Sequence, residues 1–140
     1  FAGYALWNYL SFPFLLALPG VEVSAGPPGA PLQARFPQDF PTHSREQAFH
    51  LDADLQLLRH DYTATAFGRW AHAANFCDAS VQVGGLRFYT RRRVLPTFRQ
   101  SVLAWPVLVW LRVAALQPHW APGAASLPGP AGPHGPPRRP

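Results

Sequence analysis

Glu46, His60 and Tyr62 are the residues whose types and spacing come nearest to chemistry in this chain. They belong to two polar strings, Thr42-His43-Ser44-Arg45-Glu46-Gln47 and Arg59-His60-Asp61-Tyr62, which a hairpin would set side by side. A carboxylate that orients an imidazole is a general-base arrangement. With Tyr62 beside it, such a pair would suit a small enzyme of the cyclase or isomerase kind. Cross-strand charged pairs on a solvated face are also a routine way to stabilise a sheet. No nucleophile or oxyanion donor accompanies the pair, so the structural role is preferred.

The other reactive side chains form no site. His43, His50, His60 and His72 match no metal-ligand spacing, and His43 and His50 differ in parity along one strand, so no metal is expected. Cys77 is the single cysteine and can form no intrachain disulfide; its place on an apolar face makes it a small, inert core residue. Arg91, Arg92 and Arg93 alternate faces in a strand, which leaves Arg92 to snorkel or to find a partner near the sheet margin. Pro130, Pro133, Pro136, Pro137 and Pro140 give P-x-x-P spacing with arginines adjacent, a pattern that docks in aromatic grooves.

The elements that must position these groups are strands. A helix over Ala2–Ser11 comes first, ended by Pro13, which pushes Phe12 out of the α region. Val21-Glu22-Val23 starts a strand, the Gly/Pro-rich stretch 26–31 breaks it, and 32–36 returns. Segments 42–51 and 55–65 flank Asp52-Ala53-Asp54 and form a first hairpin. Pairing Leu51 with Leu55, or Asp52 with Gln56, places like parities together. Phe49, Leu51, Leu55 and Leu57 then share one face, and Ser44, Glu46, His50, His60 and Tyr62 the other. Leu58 falls on the polar side and spoils the alternation.

Gly84-Gly85 is a two-residue turn suited to type I′ geometry. With Val83 opposite Leu86 and Val81 opposite Phe88, one face of this second hairpin holds Cys77, Ala79, Val81, Val83, Leu86, Phe88 and Thr90. The wet face holds Asp78, Ser80, Gln82, Arg87, Tyr89, Arg91 and Arg93, with Asp78 directly opposite Arg91. Residues 67–75 are a connection, 107–113 a buried valine-rich strand, and 117–140 a disordered Pro/Gly-rich tail that packs against nothing.

Composition agrees with one domain, residues 1–116, of which 1–18 are an apolar N-terminal helix or a remnant of an export or membrane segment. At 140 residues with 17 prolines, the foldable part supports one modest core. The net charge of +5 comes entirely from arginine, with no lysine and no recognition motif, so no nucleic-acid partner is expected. Segment 1–18 is shorter than a bilayer span and interrupted by Asn8, Ser11 and Pro13. A lone cysteine fits a reducing compartment, and the cytoplasm is favoured.

The two polar strings, with Gly3-Tyr4-Ala5-Leu6-Trp7-Asn8-Tyr9-Leu10, Pro19-Gly20-Val21-Glu22 and Thr90-Arg91-Arg92-Arg93, resemble an uncharacterised bacterial protein family over residues 1–113. The resemblance transfers no activity. That family prefers glycine at the turn position held here by Leu55, and its pattern ends after Leu116, as in a truncated or frame-disrupted member. The expected fold is mainly β, a curved antiparallel sheet of hairpins with a short N-terminal helix. Five tryptophans and ten phenylalanines exceed the needs of so small a core. The preferred function is therefore a binding module holding an apolar small molecule or acyl chain on the concave face, without a cofactor. A small enzyme using Glu46 and His60, and a scaffold recruiting partners through the tail, are the alternatives.

Overall fold

The computed structural model describes residues 2–99, 101–117 and 119. The tail expected from Gln117 onward, with its P-x-x-P segments, lies outside these except for Gln117 and His119.

The helix forms as expected. Helix α1 (Ala2–Ser11) buries Ala5, Asn8 and Tyr9, whose spacing of three and four residues puts them on one face. Pro13 ends it, and a single 3-10 turn (Phe14–Ala17) carries Leu15 into the core.

Among the described residues eight strands follow: β1 (Glu22–Ser24), β2 (Leu32–Arg35), β3 (Glu46–Leu51), β4 (Leu57–Thr63), β5 (His72–Val83), β6 (Leu86–Phe98), β7 (Ser101–Val102) and β8 (Val109–Arg112). Strands β1 to β7 pair antiparallel in chain order, and β8 returns to pair with β6. The sheet curls into a half-barrel, and α1 covers one face, called inner below. Two core clusters fill that face. Phe12, Leu15, Phe36, Phe49 and Leu57 form one; Ala5, Tyr9, Tyr62, Ala73 and Val94 form the other.

Irregular pairing in both hairpins decides which side chains share the inner face. In the first hairpin Asp52 N–H donates to the Gln56 carbonyl at 3.0 Å, and the Asp52 carboxylate accepts from the backbone N–H of Asp54 and Gln56 at 2.9 and 2.8 Å. Leu55 lies inside this turn at φ +58°. Leu51 then faces Leu57, but His50 faces Arg59 and Phe49 faces His60. Leu58 is the extra residue, half-exposed and without a partner in the ladder. A bulge inserts one residue on one strand and so exchanges the faces beyond it. Leu57, His60 and Tyr62 consequently all turn inward with Gln47 and Phe49, while Glu46 and His50 stay outward. The common polar face expected for Glu46, His60 and Tyr62 is thus corrected.

The second hairpin turns through Gly84 and Gly85 at φ +58° and +78°, as type I′ geometry requires. Val83 faces Leu86 and Val81 faces Phe88. Beyond Ser80 and Tyr89 the register shifts twice, so that Ala79 faces Arg91 and Cys77 faces Arg92. Tyr89, expected on the wet face, is buried. The expected Asp78–Arg91 pair is replaced by Arg93, whose Nε and Nη2 lie 3.2 and 3.3 Å from the Asp78 carboxylate. Arg91 reaches only the Asp78 carbonyl, at 3.5 Å.

Two element expectations also change. Strand β5 begins at His72, inside the stretch read as a connection, because the small Ala73 packs against α1 residues in the second cluster. The buried strand expected over 107–113 is the four-residue β8 at the sheet margin, with Val109 and Leu111 half-buried and Trp110 exposed.

Candidate functional site: a buried polar row beside an apolar cavity

The inner face carries a row of polar side chains under α1. His60 pairs in register with Phe49 on one side and Asn75 on the other, and the Phe49 ring stacks on its imidazole with centroids 4.4 Å apart. The partner that orients His60 is Gln47, whose Oε1 lies 2.6 Å from Nε2. Gln47 Nε2 donates to Thr42 Oγ1 and to the Ser44 carbonyl. The amide oxygen is therefore the acceptor toward His60, and the imidazole proton sits on Nε2. Thr42 in turn donates to Asn8 Oδ1 at 2.8 Å, tying the row to α1. An amide thus occupies the role expected of Glu46, which is exposed on the other face opposite Arg35.

Burial keeps these groups uncharged. It lowers the His60 pKa well below the usual imidazole range, helped by the nearby His43 and the positive Arg92. It lowers that of His43, stacked on Tyr62 at 3.9 Å, to about 4. Burial also raises Tyr62, whose hydroxyl lies 2.6 Å from that of Tyr9. The Cys77 thiol is pushed up to about 11 by burial, against the pull of Arg92. That direction agrees with the inert thiol inferred from the sequence. Near neutral pH, Arg92 is the charged member of the row.

Arg92 does not reach the sheet margin. It is 1% exposed; its Nη2 donates to the Tyr9 carbonyl in the last turn of α1 and its Nη1 to Cys77 Sγ at 3.1 Å. Carbonyls at a helix C-terminus carry partial negative charge, so the arginine caps α1 from the sheet.

Next along the strands lies an apolar cavity of about 800 Å³. Tyr62, Ala73 and Val94 form its wall, and Phe67, Trp70 and Phe98 stand at its mouth. The mouth residues are largely exposed, Trp70 at 78%. Gly68 sets the Trp70 ring: at φ +126° it has a backbone few other residues adopt, and a Cβ there would lie 2.6 Å from the indole Nε1.

The outer face has a more open polar groove of about 770 Å³. There Asp61 accepts from Arg59 Nε and Nη2, both at 2.6 Å, and lies 3.0 Å from His50 Nε2. Thr63 and His72 pair at 2.8 Å. Among the described residues no group of three or more His, Cys, Asp or Glu side chains is placed to hold a metal ion. Within the same residues no helix is long and apolar enough to cross a membrane.

No known family model, curated protein or solved structure matches the chain.

Sequence reasoning reached His60 and Tyr62 but missed Gln47 and Asn75, and it placed Arg92 wrongly. The signal for His60 was the broken alternation at Leu57-Leu58, which a bulge resolves by turning His60 inward, and the signal for Gln47 was its shared parity with Phe49.

Proposed function

We propose that this chain is a binding module that takes up an apolar small molecule or acyl chain in the cavity walled by Tyr62, Ala73 and Val94. The supporting observation is the cavity itself, whose volume of about 800 Å³ lies in the range of small-molecule sites. Its lining is apolar, and Phe67, Trp70 and Phe98 hold large ring surfaces in water at its mouth. Full burial of such a side chain is worth about 1.5–3 kcal/mol, which a ligand lying against the rings recovers in part. The outward Glu46 and the neutral, amide-bound His60 favour binding over acid–base turnover.

Titration of the full chain with 1-dodecanol, followed by calorimetry, tests the reading. Saturable binding is expected. Trp70→Ala, which alters a mostly exposed ring, should weaken it about fivefold or more. Heats of simple dilution, or binding indifferent to Trp70→Ala and to Phe98→Ala, would reject the cavity as a ligand site.

A further inference from the structure

Arg92 and Asn75 have more hydrogen-bonding capacity than the fold uses. None of the ion pairs among the described residues involves Arg92. Its bonds go to a carbonyl and a thiol, and the rings of Tyr9 and Tyr89 lie 5.1 and 5.4 Å from its guanidinium carbon. Its Nε has no acceptor among the described residues. Asn75 is fully buried, and neither its Oδ1 nor its Nδ2 has a partner there. Capping of α1 accounts for Nη2 alone. A buried cation without an anion, beside a bare amide, is unfavourable in a low-dielectric interior unless something else completes it.

The register shows where that completion would come from. Asn75 pairs with Val94, and Arg92 lies two residues from Val94 and opposite Cys77. Asn75 and Arg92 are therefore diagonal neighbours on the inner face, on the order of 7–8 Å apart along the sheet. Tyr62, Ala73 and Val94 line the cavity. One two-residue step along the same strands, roughly 7 Å, leads from them to His60, Asn75 and Arg92. Tyr9 stands at the junction, with its ring against Arg92 and its hydroxyl on Tyr62. A ligand head that reaches the two donors has to displace that side chain.

Building on the binding reading above, we propose that the ligand is an amphipathic monocarboxylic acid, with its chain in the cavity and its carboxylate received by Arg92 and Asn75. A guanidinium and an amide N–H both donate in the plane a carboxylate presents, and the acid supplies the negative charge the interior lacks. The neutral His60 and His43 add no competing charge.

The test compares dodecanoic acid with 1-dodecanol, which share a chain length and differ at the head, by calorimetry on the full chain at pH 7.5. The acid should bind about tenfold or more tightly, the scale of one hydrogen bond to a charged group. Asn75→Leu, whose thermal midpoint should not fall because no hydrogen bond is lost, should bring the acid-to-alcohol ratio toward one. Arg92→Leu should abolish the preference. If that variant loses its cap and unfolds, Asn75→Leu still decides. Equal affinities in the unaltered chain would overturn the acid head while leaving the apolar site intact. A preference that survives Asn75→Leu would place the head away from Asn75 and overturn it too. Failure of both probes to bind would remove the binding reading itself.

Discussion

Lowering the pH from 7 to 5 should destabilise this fold. His43 and His60 are buried and neutral, both with pKa values below that of an unfolded histidine, near 6.5. Below that value the unfolded chain binds protons that the folded chain refuses, so stability is fully present above about pH 6.5 and drains as pH falls. For His43 the window runs from 6.5 down to about 4. Over the first part of it, from pH 7 to pH 5, that single site costs about 2 kcal/mol. His60 acts in the same direction. Against a total of about 5–15 kcal/mol for a domain, this is a large fraction. Urea unfolding at pH 7, 6 and 5 measures it directly, and His43→Phe provides the control. Phenylalanine keeps a ring on Tyr62 but cannot take a proton, so the variant should lose much less stability between pH 7 and 5. A flat profile for the unaltered chain would refute the neutral, buried state of these histidines. So would an identical slope in His43→Phe.

Two further outcomes follow from the turns and the register. Leu55→Gly should raise the thermal midpoint by a few degrees. A left-handed backbone costs a non-glycine residue about 1–2 kcal/mol, less about 0.5–1 kcal/mol for the extra chain entropy glycine loses. Leu55 is 74% exposed, so little packing is given up, and a lower midpoint in calorimetry would contradict the turn geometry. A double-mutant cycle between Asp78 and Arg93 should give about 0.2–1 kcal/mol of coupling, and one between Asp78 and Arg91 close to none. The reverse order would restore the unshifted hairpin.

Several elements were legible because single residues carry them. Pro13 stops α1, Gly84-Gly85 forces the type I′ turn, and Asp52 organises the first turn through its own carboxylate. At Leu55 the backbone is left-handed, a conformation in which glycine is the usual residue. The bulges at Leu58 and beside Thr90 were not legible, because an extra residue in a strand has no composition of its own. The alternation breaks at Leu58, but sequence alone does not say whether the odd residue is simply exposed or shifts everything after it. Arg92 was misplaced for a related reason. Its burial depends on a carbonyl of α1, more than eighty residues earlier in the chain, and nothing near Arg92 in sequence announces that contact. Strand β5 was cut short because Ala73 and Ala74 have little strand preference and are held there by what packs on them.

The irregular pairing in the two hairpins decides which further side chains join the candidate site on the inner face. Without the bulge at Leu58, Leu57 and His60 would point to opposite faces, since residues three apart do so in a regular strand. With it, both turn inward: Leu57 takes its place in the first core cluster, and its N–H donates to the Tyr89 hydroxyl at 2.6 Å. The shift in the second hairpin brings Tyr89 and Arg92, also three apart, to the same face. His60, Asn75 and Arg92 line up across β4, β5 and β6 beneath α1 by regular pairing, and Tyr62, Ala73 and Val94 continue that face into the cavity. A regular first hairpin would set His60 on the face opposite Gln47, Phe49 and Leu57 and so part it from the amide that orients it. The irregularities that defeat a simple alternation of faces thus bring Gln47, Phe49 and Leu57 to a polar row that adjoins the apolar cavity. Such an arrangement suits recognition of a molecule with two unlike ends.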